Sequence, residues 1–148
     1  MSQLCPELVI VPCNMEKYAA VAEKIRDVFR QYDPNFSPMS LDEAYLDITD
    51  LVEQNVWREK DGLEGSSEKG QEVGLGQTAA QLVTKMREEI KTVTGGLTAS
   101  AGIAPNCLLA KVCSDLNKPD GQYELPPHTD TIMKFVSDLG IRKVREVW

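Results

Sequence analysis

The sequence has little that could build a soft-metal or disulfide-based site. Its four cysteines lie at positions 5, 13, 107 and 113, so no pair has Cys-x-x-Cys spacing, and its one histidine is His128. Structural zinc sites use clusters of these residues, so the spacing argues against zinc. We interpret the cysteines as ordinary reduced thiols of an intracellular protein.

Long apolar runs are also missing. No stretch approaches the roughly 20 residues that a membrane helix needs. The segment from Met1 to Glu7 lacks the basic and apolar regions of a signal peptide. We therefore expect no contact with a membrane. With 148 residues, 42% of them hydrophobic and 26% charged, the chain is large enough for one globular domain with its own core.

Positive charge is scarce, because 16 Lys and Arg stand against 23 Asp and Glu, a formal net charge of −7. Affinity for a nucleic acid backbone comes mostly from basic side chains that neutralise phosphates, so weak DNA binding is expected of this chain alone. Acidic residues can still serve a nucleotide through a bound metal ion. The charge therefore favours a metal-carrying piece over a DNA-gripping one.

An adjacent acid pair, Asp42-Glu43, lies where a turn is expected. The alternating pattern of Ala44 to Thr49 follows it, which is typical of a half-buried strand. Phe36 to Leu41 and Ala44 to Thr49 are thus predicted to be the arms of a hairpin. Neighbouring strand side chains point to opposite faces, so the two carboxylates can share one ion only if the backbone bends between them. Such a pair is a plausible site for Mg²⁺, although most acidic turns are solvated surface.

Hydrophobic periodicity and capping residues predict four helices and three extended segments around this hairpin. In chain order they are a strand at Leu8 to Val11, a helix from the N-cap Asn14 to Tyr32, a helix from the N-cap Thr78 to a stop at Gly95-Gly96, a strand at Leu97 to Ala104, a helix after the N-cap Asn106, an extended piece at Tyr123 to Leu125, and a helix at Asp130 to Leu139. The apolar stripe of the second helix is Leu82, Met86, Ile90 and Val93. This order predicts an α+β fold with a mostly antiparallel sheet covered by helices.

Two further segments have a distinct composition. Gln54 to Gln77 is rich in Gly, Glu, Lys and Ser, so we interpret it as a flexible insertion. The third helix separates an apolar side from a polar side. Its expected buried residues are Leu108, Leu109, Val112, Cys113 and Leu116, and its polar residues are Lys111, Ser114, Asp115 and Lys118. The polar side could be a solvated face with a Lys111 to Asp115 ion pair, or a face turned toward phosphates.

Three segments, in the right order, resemble motifs of the Y-family, or translesion, DNA polymerases. Ser40 to Asp47 resembles the second catalytic motif, Leu97 to Asn106 the palm strand that follows it, and Leu109 to Gly121 the next helix and turn. Within the family, the sequence of Tyr32 to Phe36 and of Ala110 to Tyr123 most resembles the kappa branch. Three ordered matches are far more specific than one motif. The resemblance covers residues 4–143 as a partial palm domain, with residues 144–148 divergent.

The resemblance implies a ferredoxin-like palm with helices on one face of its sheet. It implies two-metal transfer of a nucleotide to a primer, with Mg²⁺ as cofactor and primer–template DNA and a deoxynucleoside triphosphate as partners. Asp42 and Glu43 would be the catalytic metal ligands. Lys118 would contact the triphosphate, and Lys111 matches a position near the nucleotide. Asp47 is expected to be structural, and the nucleus is the expected location.

The resemblance also implies parts that this sequence does not supply. The family carries a third acid in an Asp-x-Asp-x-Phe motif on an earlier strand, and no acid before Asp42 fits it. Fingers, thumb and little finger are not recognisable either. We therefore expect an incomplete palm, marginally stable and inactive alone, from a truncated or spliced product or an incomplete gene model. One alternative is a non-catalytic fragment that binds a partner or interferes with a complete polymerase. Another is a nucleotide cyclase-like domain.

Overall fold

The computed structural model describes residues 5–53 and 75–140, with the backbone only for residues 75–78. Its helices are α1 (Met15–Tyr32), α2 (Leu75–Thr94), α3 (Cys107–Ser114) and α4 (Thr129–Asp138). Its strands are β1 (Ser37–Pro38), β2 (Ala44–Tyr45), β3 (Ala101–Ile103) and β4 (Gln122–Glu124). Residues 49–53 are helical as well. The expected mixture of helix and sheet is confirmed.

The first helix begins and ends where its capping residues predict. The Asn14 side chain accepts a hydrogen bond from the Lys17 amide at 2.9 Å, so it satisfies one of the free N–H groups of the first turn. Asp33 is extended, with φ −144°. It precedes Pro34, and a residue before proline disfavours helical backbone.

The second helix differs from the prediction at its start. It begins at Leu75, so Thr78 lies inside the helix and its assignment as N-cap is wrong. Between Leu75 and Thr78 the helix contains Gly76 but no proline. A glycine weakens a helix by about 1 kcal/mol without ending it. Of the predicted insertion at 54–77, residues 75–77 are therefore helical and 54–74 lie outside the described residues. The stop at Gly95 is confirmed, because Gly95 has φ +74° and the Gly96 amide bonds the Lys91 carbonyl at 2.8 Å.

The larger core lies between α1 and α2. Its buried members are Val28, Tyr32, Met86 and Ile90, and the partly buried residues packed against them include Leu46 and Ile48 from the chain after β2. Burial of these side chains anchors the second arm of the hairpin to the helices.

Two short sheets are present in the described part of the chain, rather than one mostly antiparallel sheet. The β1–β2 pair is the predicted antiparallel hairpin, with Pro38 opposite Ala44. The β3–β4 pair is parallel, with Ala101 opposite Gln122. The parallel pairing follows from the connection, because α3 carries the chain back to the start of the sheet before β4 begins.

Several local predictions from the apolar pattern are wrong. Leu8 to Val11 forms no strand, and Val9 and Ile10 are 80% and 85% exposed. Val93, Leu108 and Leu116 were expected to be buried and are exposed. The strand arms are also shorter than predicted, since β2 ends at Tyr45 and β3 spans three residues. An apolar pattern shows which residues favour burial, but it does not show whether another element covers them.

The third strand packs directly against α3. A Cβ atom on Gly102 would lie 2.0 Å from the Ala110 carbonyl oxygen and 2.4 Å from the Ser114 amide nitrogen. The small residues of this strand were expected to permit close approach of a strand or ligand, and the structure shows that the neighbour is a helix. A second core lies between α3 and the end of β4, where Leu109, Cys113 and Leu125 are buried.

Tyr32 makes the stability of the α1–α2 contact depend on pH. Its hydroxyl donates to Glu89 Oε2 at 3.1 Å, and burial, together with this carboxylate, raises the pKa of Tyr32 to about 12. The unfolded phenol loses its proton at about pH 10. Stability should therefore be fully present below pH 10 and should fall as the pH rises to about 12. Urea unfolding should show this fall in the native chain and a smaller one in Tyr32→Phe.

The exposed Tyr18 provides the matched control for that titration. Tyr18→Phe should keep the alkaline fall of the native chain. Equal alkaline falls in the native chain and in Tyr32→Phe would contradict the role of Tyr32.

Candidate functional site

The acid pair lies at the tip of the β1–β2 hairpin. The backbone bends over residues 40–42. The Glu43 carbonyl closes the turn by accepting from the Met39 amide at 2.9 Å and the Ser40 amide at 3.3 Å. This supplies the bend that two adjacent carboxylates need if they are to share an ion.

Asp42 is exposed and is oriented from within the turn. The Ser40 hydroxyl donates to Asp42 Oδ1 at 2.7 Å. A hydrogen bond to a charged acceptor is stronger than a neutral one, so Ser40 limits the rotation of this carboxylate. Asp42 is therefore presented to solvent in a defined orientation.

Glu43 contacts a helix that is distant in the sequence. Lys111 Nζ donates to Glu43 Oε1, and the side chains are 29% and 47% exposed. The sequence left open an ion pair with Asp115 or a face toward phosphates, and the structure adds a link from Lys111 to the acidic hairpin. The hairpin tip and α3 therefore belong to one site.

Asp47 and Asp33 hold the chain that follows β2. Asp47 Oδ1 accepts from the Thr49 hydroxyl at 2.6 Å and from the Thr49 amide at 3.0 Å, and these bonds lower the pKa of Asp47. Asp33 accepts from the Asp47 amide at 2.9 Å. Asp47 thus caps residues 49–53, which fits the structural role expected for it. The contact of Asp33 with the Asp47 amide was not anticipated. Asp followed by Pro is a signal for a local turn, and Asp33 also accepts from the Asn35 amide at 2.8 Å.

Lys118 lies on the turn between α3 and β4. Its Nζ is 3.3 Å from Asp115 Oδ1, and its side chain is 56% exposed. The Asn117 side chain donates to the Gln122 carbonyl at 2.7 Å across the base of this turn. A Cβ on Gly121 would lie 2.1 Å from the Asn117 carbonyl oxygen, so the turn closes tightly only with glycine there. The backbone at Lys118 is therefore held in a tight turn, while its side chain is exposed to solvent.

The hairpin provides hard oxygen ligands in a small number, which suits Mg²⁺. Within residues 5–53 and 75–140, no group of three or more His, Cys, Asp or Glu side chains could hold a metal ion. Three of the five described acids before Asp42 are engaged elsewhere, since Glu23 and Asp27 pair with Arg30 and Asp33 caps a turn. Among the described residues, the hairpin tip thus offers a divalent ion the carboxylates of Asp42 and Glu43.

An acidic hairpin next to a lysine-bearing helix, in a mixed fold, is typical of proteins that transfer nucleotides on a metal-carrying palm. Comparison with known proteins agrees with this class. The chain belongs to the Y-family DNA polymerases, because the model of the impB/mucB/samB family matches its residues 1–115.

Curated relatives extend the match along almost the whole chain. DNA polymerase kappa of Homo sapiens is 38% identical over 197 residues, covering 96% of this chain and 22% of that protein. DNA polymerase kappa of Arabidopsis thaliana is 46% identical, and the match covers 96% of this chain and 18% of that protein. DNA polymerase IV of Shewanella frigidimarina is 46% identical, covering 96% and 33%. The chain thus spans a third or less of these relatives.

Solved structures show the same similarity in three dimensions. An insertion ternary complex of Dbh DNA polymerase superposes with a TM-score of 0.76 at 25% identity, covering 99% of this chain and 36% of that one. A Y-family polymerase chimera of Dbh and Dpo4 gives a TM-score of 0.74 at 26% identity, covering 96% of this chain and 35% of that one.

In the described ranges no helix is both long and apolar enough to span a bilayer.

Proposed function

We propose that this chain forms part of the catalytic palm of a translesion DNA polymerase that acts in DNA damage bypass. The observation that carries the proposal is the contact between Lys111 and Glu43. It joins the acidic hairpin to the helix after β3, so residues far apart in the sequence meet at one place. The family's activity, template-directed nucleotidyl transfer, needs carboxylates and lysines together.

Asp42 and Glu43 are the catalytic residues and the metal ligands in this proposal. When bound, Mg²⁺ would supply stabilisation of the attacking and leaving oxygens in two-metal phosphoryl transfer. Ser40 orients Asp42, and Lys111 partly neutralises Glu43. Lys118 binds the triphosphate as a point charge, and its half-exposed side chain can leave Asp115 to do so. Lys111 stays close to the nucleotide.

We further propose that the two short sheets belong to one ferredoxin-like sheet. The β1–β2 and β3–β4 pairs are separate within the described residues. That separation is what a sheet shows when a central strand is missing between its parts. The same strand would carry the third acid of the family. The isolated chain is therefore a catalytically incomplete palm.

Primer–template DNA and a deoxynucleoside triphosphate are the proposed partners in the complete enzyme. A net charge of −7 gives this chain by itself little affinity for DNA. A nuclear location is part of the proposal, because relatives of this chain in Homo sapiens and Arabidopsis thaliana are DNA polymerases and most DNA of a eukaryotic cell lies in the nucleus.

Two assays with the purified chain test the function. Titration calorimetry with Mg²⁺ and dTTP should detect metal-dependent binding that Asp42→Ala and Lys118→Ala each weaken. Primer extension should give no product, because one acid is missing. Binding that needs no metal, or that Asp42→Ala leaves unchanged, would contradict the site. Extension abolished by Asp42→Ala would keep the polymerase function and refute the incompleteness.

A second candidate is a non-catalytic piece that binds a complete polymerase and interferes with it. The observation that favours it is the apolar run Leu8 to Val11, which lies exposed and unpaired. Such a run can add to the edge of another sheet. In a pull-down with full-length polymerase, retention that Ile10→Lys abolishes would support this candidate, and no retention above background would exclude it.

A further inference from the structure

Arg87 of α2 joins three separate parts of the chain near Lys118. Its Nε donates to the Ala99 carbonyl at 2.8 Å, before β3. Its Nη1 donates to Gln122 Oε1 at 3.2 Å, in β4, and its Nη2 donates to Asp120 Oδ1 at 2.7 Å. The side chain is only 15% exposed, so water screens these bonds weakly.

The contact with Asp120 fixes the turn that carries Lys118. Asp120 has φ +53°, in the left-handed region, and its carboxylate points to Arg87. The Gly121 carbonyl accepts from the Ala101 amide at 3.0 Å, which binds the end of the turn to β3. Lys91 is a weaker second partner of Asp120, at 3.8 Å and 57% exposed. The backbone direction at Lys118 therefore depends on a helix that is far away in the sequence.

Three of the five N–H groups of Arg87 are occupied by protein oxygens, which leaves the side chain poorly placed to bind a nucleotide directly. Each of its three nitrogens donates to a protein oxygen, and little of the side chain reaches solvent. A planar guanidinium held at three points transmits position better than a flexible ammonium group would. Its effect on a ligand must pass through the turn.

We propose that Arg87 is a positioning residue that orients Lys118 toward the triphosphate of the incoming nucleotide. This inference rests on the role proposed above for Lys118. It adds that α2, which bears none of the proposed ligands, determines nucleotide affinity. The clamp is the Arg87–Asp120 ion pair together with the two hydrogen bonds that Arg87 donates to the neutral oxygens of Ala99 and Gln122.

A double-mutant cycle separates positioning from general stabilisation. Binding of dTTP with Mg²⁺ is measured by calorimetry for the native chain, Arg87→Gln, Lys118→Ala and the double variant. Each single change should weaken binding about 10-fold, since each removes a charge-assisted hydrogen bond or its geometry. The double variant should be no weaker than Lys118→Ala, because Arg87 acts only through Lys118. Independent effects would multiply to about 100-fold instead.

Two further variants control for loss of folding. Asp120→Asn removes the charge that Arg87 and Lys91 contact but leaves the other two hydrogen bonds of Arg87, and asparagine tolerates the left-handed backbone, so this variant should fold and weaken binding by less than Arg87→Gln. Arg26→Gln removes the same charge from α1 and should leave binding unchanged. Amide hydrogen exchange at Ala101 should speed up in Arg87→Gln, because the bond to the Gly121 carbonyl loosens.

The outcomes distinguish this inference from the function on which it rests. If Lys118→Ala weakens binding but Arg87→Gln does not, or if the two losses multiply, Arg87 does not position Lys118. Unchanged exchange at Ala101 in Arg87→Gln also overturns the clamp. If the native chain binds no dTTP, the proposed role of Lys118 fails, and the positioning role fails with it.

Discussion

Gly102→Ala is expected to lower the free energy of unfolding by at least about 3 kcal/mol, the upper range for overpacking. The added methyl group would meet two backbone atoms of α3, the Ala110 carbonyl oxygen at 2.0 Å and the Ser114 amide nitrogen at 2.4 Å. Backbone atoms in a helix cannot rotate away as a flexible side chain can. The strand and the helix must therefore separate, which also displaces Lys111 from the hairpin.

The matched control is Gly140→Ala, where a Cβ meets no atom within 4 Å. Urea unfolding followed by circular dichroism measures both variants. Gly140→Ala should stay within about 0.5 kcal/mol of the native chain, as surface changes usually do. If the two alanine variants are equally stable, then β3 does not pack on α3 as closely as described.

Lys111→Met is expected to raise the affinity of the chain for divalent ions about 10-fold. Lys111 contacts Glu43, so its positive charge competes with a metal ion for that carboxylate. At a separation of a few ångströms, removing one unit of repulsion from a doubly charged ion is worth about 1–2 kcal/mol at the dielectric constant of water with salt screening, which suits these partly exposed side chains. Methionine is unbranched and only one atom shorter than lysine, so packing changes little.

Titration calorimetry with Mn²⁺ measures this gain. Lys85→Met removes the same charge from an exposed position of α2, where the side chain is 70% accessible, and should change the affinity little. A gain of the same size in both variants would show that only net charge matters. A loss of affinity in Lys111→Met would show that Lys111 supports the metal site rather than competing with it.

Features that depend on near neighbours in the sequence could be predicted. The N-caps Asn14 and Asn106 and the stop at Gly95 each satisfy backbone groups within a few residues, so their identity is enough. The acidic turn was also recognisable, because the alternating pattern of Ala44 to Thr49 follows it directly. For the same reason the capping role of Asp47 lies within the reach of the sequence.

Features that depend on distant partners could not be predicted. Whether Leu8 to Val11 pairs depends on a neighbour that the run itself does not specify. The parallel pairing of β3 with β4 is set by the path of α3. The link from Lys111 to Glu43 spans 68 residues, and that from Arg87 to Asp120 spans 33, so no local spacing reveals them. The candidate site therefore emerged in part from motifs and in part only from the fold.

The most direct test of the account is to locate a bound metal ion by paramagnetic broadening of amide signals. Small amounts of Mn²⁺ should first broaden residues 40–44 and then those around Lys111, and Asp42→Asn should abolish this pattern. Broadening that instead follows the acidic side chains of α1, such as Glu16, Glu23 and Asp27, and that persists in Asp42→Asn would contradict a metal site at the hairpin tip.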